Sequence, residues 1–457
     1  MKAVILAAGR GSYFQPFDYY RPKTLWPVCE KPLLGHLFDR LKAVGLEQVA
    51  VVAGHRKERI AYWLAANPQE GLAVTLLEQR APLGTADALL VAEEWLAGED
   101  ALVLYGDLAF GPGVLPQVLE AFQQAELGVV ATKQVEKAGH YARAHSVEGK
   151  ASGYSAPEAE ARQADVLAGI WALRPAAVRL AASVSGLLQE TFVGTPPKEE
   201  RDLVELIPLA SAAGTPLSTC ALENWWVDVD FAWDTIRAYR HLFDERIAKL
   251  AGQVVVAEGG LIEEGARVSG PVYVGPGAVV EAGACLEGPL WLEAGARVRF
   301  GSLAHSGTWV GKGSLVGPNA EVRGMLDEDC AALHCCEFEG IALKGSRFSH
   351  YMELAGIFGE GSEIGAGTMM GTLRFDNGPT RVKLKGRYFE AEELSGVLYG
   401  DYSRTGVGAL LMPGRIIGPG GIVGAGVVLE QNVAPHTLLR LEQQTVITEW
   451  PQEIYEP

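Results

Sequence analysis

The residues best equipped for chemistry lie between Val4 and Lys23, which read VILAAGRGSYFQPFDYYRPK. A short apolar run (Val4, Ile5, Leu6) gives way to Ala7, Ala8, Gly9, Arg10, Gly11 and Ser12. Small residues let a backbone pass close to a ligand, and bare N–H groups there can face phosphate oxygens. Lys23 follows behind Arg21-Pro22 and supplies a positive charge. A strand, a glycine-rich turn and a later lysine suit a nucleoside triphosphate. The glycines are spaced neither as in the dinucleotide-binding fingerprint nor as in the Walker P-loop, so neither motif is present.

Further along, Asp107 follows an apolar run through Gly106. A carboxylate at the carboxyl end of a buried strand stands where α/β sheets bind ligands. A magnesium ion wants oxygens from more than one group, and Asp228, in Trp225-Trp226-Val227-Asp228, is the candidate second ligand. The structural alternative is that Asp107 caps a turn while Asp228 or Asp230 caps a helix starting near Phe231. Gln79, Gly84 and Thr85 flank another helix start. A glutamine amide can donate to and accept from a base edge, and a glycine lets the chain pass close to a flat ring. A polar loop with a helix cap is the alternative there.

These residues need elements to hold them. Short apolar runs at 2–7, 48–53, 73–78, 101–105, 127–132 and 166–173 read as buried strands. Runs at 33–44, 57–66, 85–96, 114–125 and 199–213 read as helices. The alternation predicts βαβ units and a mainly parallel sheet covered on both faces. A helical run over 231–250 then leads out of this region.

After it the period changes. Val256, Ile262, Val268, Val274, Val280, Leu286, Leu292 and Val298 fall six residues apart. The phase returns at Val310, Val316 and Val322, at Met352, Phe358, Ile364 and Met370, and at Leu411, Ile417, Val423 and Leu429. A six-residue period fits neither a helix nor a two-sided strand. It predicts a parallel β-helix of triangular section with one apolar side chain per face pointing inward. Residues 371–406 lack the period and carry Arg374, Asp376, Arg381, Lys383, Lys385 and Arg387. They are expected to leave the prism as a loop, and such loops often line sites.

The 457 residues allow two or three domains, and 48% hydrophobic with 21% charged residues is normal for a buried core. A net charge of −17 argues against a nucleic-acid surface. The six cysteines show no CxxC pairing, which points to reduced thiols in a cytoplasmic protein. No signal peptide and no apolar run long enough to span a bilayer stands out, so no membrane partner is expected.

Taken together, Leu6-Ala-Ala-Gly-x-Gly, Arg21-Pro-Lys23, Leu83-Gly84-Thr85, Tyr105-Gly106-Asp107 and Trp226-Val-Asp228 resemble the sugar-1-phosphate nucleotidyltransferases. The hexapeptide repeat behind them resembles the bifunctional branch, which joins a uridylyl- or thymidylyltransferase to an acyltransferase. Thr372-Leu-Arg-Phe-Asp376, Arg404-Thr405-Gly406 and Met412-Pro413-Gly414 are similar to the archaeal form. The resemblance implies an α/β Rossmann-like nucleotidyltransferase domain followed by a left-handed parallel β-helix. The expected division is 1–230 for the first domain, 231–251 for a helical linker, 252–445 for the prism and 446–457 for a tail.

The resemblance also implies roles. Leu6, Ala7, Ala8, Gly9 and Gly11 would lie along the nucleotide, as would Tyr105 and Gly106. Lys23 would offset phosphate charge, Gln79, Gly84 and Thr85 would contact the base and ribose, and Asp107 and Asp228 would hold Mg²⁺. The substrates would be UTP or dTTP and a sugar-1-phosphate. The prisms would assemble as a homotrimer, with acetyl-coenzyme A between neighbours and His350 as base toward an amine.

The chain departs from the family pattern in places. The family turn continues with Thr-Arg, the Arg neutralising the leaving pyrophosphate, where this chain has Ser12-Tyr13; Arg10 and Arg21 are the nearest cations in sequence. On the sugar side, Leu167 replaces an Asn and Tyr141-Ala142 replaces Tyr-Gly, while Tyr154-Ser-Ala-Pro157 stands near the place of Glu-Lys-Pro. On the prism, the family His position falls on Ser349, one residue before His350, and the family Asn is Thr372. His334 falls on the inward phase and is expected in the core. Two readings follow: a nucleotidyltransferase acting on a different sugar phosphate, and a nucleotide-sugar-binding scaffold with degraded catalysis.

Overall fold

The computed structural model describes residues 1–158, 161–186 and 200–449. Its first half is built on a nine-stranded sheet. The strands run in the order Ala73–Glu78, Gln48–Ala53, Lys2–Ala7, Ala101–Tyr105, Ala164–Leu173, Gly128–Val135, Ser218–Ala221, Lys150–Ser155 and Arg143–Val147. The first four are parallel. Ala164–Leu173 is antiparallel to both its neighbours, so the sheet is mixed rather than mainly parallel. The strands at 143–147, 150–155 and 218–221 were not expected, because their alternation is weak and half their side chains face solvent.

The helices follow their apolar stripes. In Leu33–Ala43, residues Leu33, Leu34, Leu37, Phe38 and Leu41 are buried on the i, i+3, i+4 pattern. The expected helix at 85–96 divides at Ala92 into Thr85–Val91 and Glu93–Leu96. The expected helix at 199–213 begins on a residue outside the described ones. Among the described residues it is one turn, Leu203–Glu205, running into Leu206–Ala212. The long helix covers Asp234–Ala248. Asp234 Oδ2 accepts from the Phe231 N–H at 2.8 Å in the turn that leads into it, and no side chain, Asp228 and Asp230 included, caps its first turn at Trp233.

Beyond Val254 the chain winds into a left-handed parallel β-helix. Val254, Val272, Leu290 and Thr308 stack in register, one every 18 residues. The aliphatic ladder from Val272 through Val433 forms one continuous core, each side chain contributing about 1.5–3 kcal/mol by burial. Val256 is the exception: no coil lies beneath it and it stays exposed. From Val322 the coils shorten to 16 residues, pairing Val322 with Phe338 and Phe338 with Leu354. The inward set then reads Val322, Leu326, Ala332, Phe338, Ala342 and Phe348. The loss of two residues at one corner moves His334 out of the core. It is exposed with φ +53° and stacks on His350, ring centroids 4.8 Å apart.

The interruption at 371–406 is not a loop throughout. Thr380–Leu384 and Arg387–Ala391 form an antiparallel hairpin, and the prism resumes at Val397–Tyr399, earlier than expected, by pairing with Met352–Phe358. Val382, Leu384, Ala391 and Leu394 are buried in one cluster with Phe14, Phe17, Trp26 and Phe231. The hairpin therefore packs against the segment that follows the glycine-rich turn. Of the expected tail 446–457, residues 450–457 lie outside the described ones.

Candidate functional site

The carboxyl ends of Lys2–Ala7 and Ala101–Tyr105 lie side by side, Leu6 opposite Tyr105. Both chains then turn outward and open a cleft of about 1110 Å³, above the ~300–1,000 Å³ of typical small-ligand pockets. Leu6, Ala7, Ala8, Gly9, Gly11, Lys23, Gln79, Gly84, Thr85, Tyr105, Gly106 and Asp107 all line it. Gly106 is required for the close approach of these strand ends. Its N–H donates to the Leu6 carbonyl at 2.9 Å, and a Cβ there would press on Ala7.

Asp228 reaches Asp107 through a short ladder that the sequence did not reveal. Leu108–Phe110 pairs antiparallel with Trp226–Asp228, Asp228 opposite Leu108, and the Val229 N–H donates to the Asp107 carbonyl at 3.1 Å. Two residues on, Asp230 joins them. One carboxylate oxygen from each of Asp107, Asp228 and Asp230 lies within 4.8 Å of the others. Lys23 Nζ sits 2.6 Å from Asp107 Oδ2 and 3.3 Å from Asp230 Oδ1. Burial works against the Lys23 charge, but Asp107, Asp230 and Asp228 outweigh it and hold the ammonium above its ordinary range. Burial and the charges of Asp230 and Asp107 push the Asp228 carboxyl well above the usual carboxylate range, with Lys23 pulling the other way.

One ammonium does not neutralise three carboxylates, and Asp107 Oδ1 is buried without a hydrogen-bond partner. An all-oxygen donor set with an orphaned buried oxygen fits a hard divalent cation. From sequence alone Asp230 reads only as a helix cap. Its signal was its place two residues after Asp228, on the same side of an extended segment.

At the other end of the cleft the Gln79 amide is fixed. Its Nε2 donates to the Gly84 carbonyl at 3.0 Å and to Asp87 Oδ2 at 2.8 Å, which leaves Oε1 as the group open to a ligand. Gly84, at φ +96°, admits the backbone of Arg201 rather than a flat ring, for a Cβ would collide with the Arg201 carbonyl. Thr85 Oγ1 accepts from the Leu203 N–H at 2.7 Å, tying residues 200–203 to the cleft. Glu200 and Asp202 line the wall there, unforeseen from sequence.

Of the two cations nearest in sequence, Arg10 lines the cleft. Arg21 does not: it pairs with Glu360 and Asp401 of the prism. Lys385, at the hairpin tip, also lines the cleft. Leu167 and Tyr141 are buried; Leu167 packs in the core between sheet and helices. On the prism, His350 is exposed at a corner with φ +77°, and Ser349 before it is half-buried. All six cysteines are free thiols, and no helix among the described residues is long and apolar enough to cross a membrane.

Residues 3–168 match the MobA-like NTP transferase domain. The chain is 30% identical to a bifunctional protein GlmU of Methanococcus maripaludis, over 98% of this chain and 99% of that one. A second GlmU, from another strain of that species, is 27% identical over the same shares. The bifunctional sugar-1-phosphate nucleotidylyltransferase/acetyltransferase of Sulfurisphaera tokodaii is 23% identical over 95% of this chain and 98% of its own length. With its three-carboxylate cleft backed by a full-length prism, the chain belongs to the GlmU-like family of bifunctional sugar-1-phosphate nucleotidyltransferases.

Proposed function

We propose that this protein joins a nucleoside triphosphate, UTP or dTTP, to a sugar-1-phosphate. A phosphate oxygen of the sugar-1-phosphate attacks the α-phosphorus. The new P–O bond forms as the bond from the α-phosphorus to the bridging oxygen breaks, and pyrophosphate leaves with that electron pair. The nucleophile is already an anion, so positioning and charge neutralisation do most of what is needed. Mg²⁺ held by Asp107, Asp228 and Asp230 would neutralise phosphate charge.

The observation that carries this reading is the trio of carboxylates within 4.8 Å at the end of a glycine-lined cleft. Lys23 orders Asp107 and brings a cation to the phosphates. Leu6 to Gly9 and Gly11 give a backbone bed for the nucleotide. The fixed Gln79 Oε1 accepts from the imide N–H that uracil and thymine share. Leu167 offers no polar group to a sugar hydroxyl, which favours an acceptor other than the family's common ones. The domain division at residues 231–251 belongs to the same proposal. So do a cytoplasmic location and a homotrimer with acetyl-coenzyme A between prisms, His350 being the candidate base.

Purified protein given each triphosphate, a panel of sugar-1-phosphates and Mg²⁺ should release pyrophosphate with at least one pair. Silence across the panel with nucleotide binding intact by calorimetry would instead favour the scaffold reading. Acetyl-coenzyme A consumption with glucosamine-1-phosphate, lost in His350→Ala, tests the second activity.

A further inference from the structure

We propose that Lys385, carried by a hairpin of the C-terminal prism, binds the β- and γ-phosphates of the triphosphate in the N-terminal cleft. There it takes up negative charge on the departing pyrophosphate. The proposal rests on the nucleotidyltransferase reading above.

The cleft has a cation at each end. Lys23 is engaged by Asp107 and Asp230 at the carboxylate end. The glycine-rich turn at the other end is where a polyphosphate would leave the carboxylates, and there the side chains on hand are Arg10, Ser12, Tyr13, Gln15, Asp18 and Lys385, the two cations facing the single Asp18 carboxylate. Lys385 Nζ donates to Ser12 Oγ and stands 4.0 Å from the centroid of the Tyr13 ring. The hydroxyl and the ring face, the latter through a cation–π contact, hold the ammonium over the turn. Ser12 and Tyr13, the two residues that follow Gly11, therefore both touch this one lysine.

The hairpin is built to present it. Leu384 pairs with Arg387, so the connection is the two residues Lys385-Gly386, at φ +46° and +80°. Positive φ at both positions is the mirror-image turn that favours Asn, Asp or Gly at its first place. A lysine there is strained, and such strain persists where the side chain has a use. The hairpin stem is anchored on the cleft side by buried Val382 and Leu384, packed with Phe14 and Trp26. On the prism side the Lys383 carbonyl accepts from Asn432 Nδ2 at 3.3 Å.

Lys385→Asn keeps the turn and removes the charge; Lys385→Arg keeps the charge. Calorimetry compares UTP with UMP, and dTTP with dTMP, in Mg²⁺. Lys385→Asn should abolish most of the preference for triphosphate over monophosphate, leave monophosphate binding unchanged, and lower kcat/KM on the order of 10²-fold. Lys385→Arg should restore much of both, and the thermal midpoint of Lys385→Asn should not fall. Unchanged triphosphate preference in Lys385→Asn, with that preference lost in Arg10→Ala, assigns the phosphates to Arg10 and overturns the proposal. Asp107→Asn is the inactive control. If it is inactive while Lys385→Asn is indistinguishable from wild type, Lys385 fails and the transferase reading stands. If wild-type protein turns over no triphosphate, the transferase reading falls, and the binding preference alone decides Lys385.

Discussion

Arg21 Nη2 lies 2.9 Å from Oδ1 of Asp401, whose side chain is fully buried, and 3.0 Å from Glu360 Oε2. The arginine follows the glycine-rich turn; the aspartate belongs to the prism. An ion pair thus fastens the cleft to the C-terminal half. Burial raises the Asp401 carboxyl and Arg21 lowers it, so removing the arginine strands a buried charge. Such a loss costs about 3–5 kcal/mol. Arg21→Ala should therefore lower the denaturation midpoint clearly, and Arg21→Ala with Asp401→Asn should recover part of the loss. Equal midpoints for the two variants would deny the pair this role.

A second expectation concerns the carboxylate trio. If all three oxygens serve one cation, Asp230→Asn should weaken Mn²⁺ binding as Asp107→Asn and Asp228→Asn do. Each loss should be about tenfold or more, roughly 1.4 kcal/mol, read by water-proton relaxation. Wild-type affinity in Asp228→Asn would remove that residue from the site.

The two halves differed in how openly the sequence displayed them. The hexad period exposed the prism because each inward residue repeats the same environment, and the glycine-rich turn with Lys23 and Asp107 exposed one end of the cleft. Asp228 was visible through its motif, yet the ladder that carries it to Asp107 was hidden, since three-residue strands carry almost no periodic signal. His334 leaves the inward phase because the register there is set by 16-residue coils, which sequence spacing alone does not announce. The charge-rich break at 371–406 did signal a departure from the prism. That it folds back as a hairpin onto Phe14 and Trp26 is a tertiary fact, fixed by packing between residues far apart in the chain.

Gly84 gives a sharper steric test. Its φ of +96° already disfavours any side chain, and the Arg201 backbone occupies the space a Cβ needs. Gly84→Ala must either strain the turn or push residues 200–203 outward, breaking the Ala86 N–H to Arg201 carbonyl bond of 2.9 Å. The expected cost is roughly 1–3 kcal/mol, with a raised KM for the triphosphate. Unchanged KM and stability would mean that segment 200–203 does not shape the cleft.

His36 makes the first half acid-sensitive. Burial lowers its pKa to about 4, partly opposed by its 2.9 Å bond to the Val28 carbonyl. The folded state therefore keeps the ring neutral while the unfolded chain, near 6.5, takes up a proton. Stability from this residue is complete above the unfolded value and is lost as pH falls from about 6.5 toward 4, by up to about 3 kcal/mol. His36→Gln should show a smaller drop in thermal midpoint between pH 7 and pH 4.5. Parallel drops in the two proteins would exclude His36 as the cause.

Base selection should depend on a residue set back from the base. Asp87 accepts from Gln79 Nε2 at 2.8 Å, and a carboxylate cannot donate, so the amide is compelled to show its oxygen to the cleft. That oxygen suits the imide N–H of uracil and meets the N3 lone pair of cytosine with repulsion. Asp87→Ala removes one of the two acceptors that fix Nε2, leaving the Gly84 carbonyl alone to hold it, and so loosens the amide's orientation. The ratio of kcat/KM for UTP over CTP should then fall by about tenfold or more, the worth of one hydrogen bond of about 1–1.5 kcal/mol. Gln79→Ala should weaken both nucleotides alike. A selectivity ratio untouched by Asp87→Ala would show that the amide's direction is set elsewhere, or that the base does not meet Gln79.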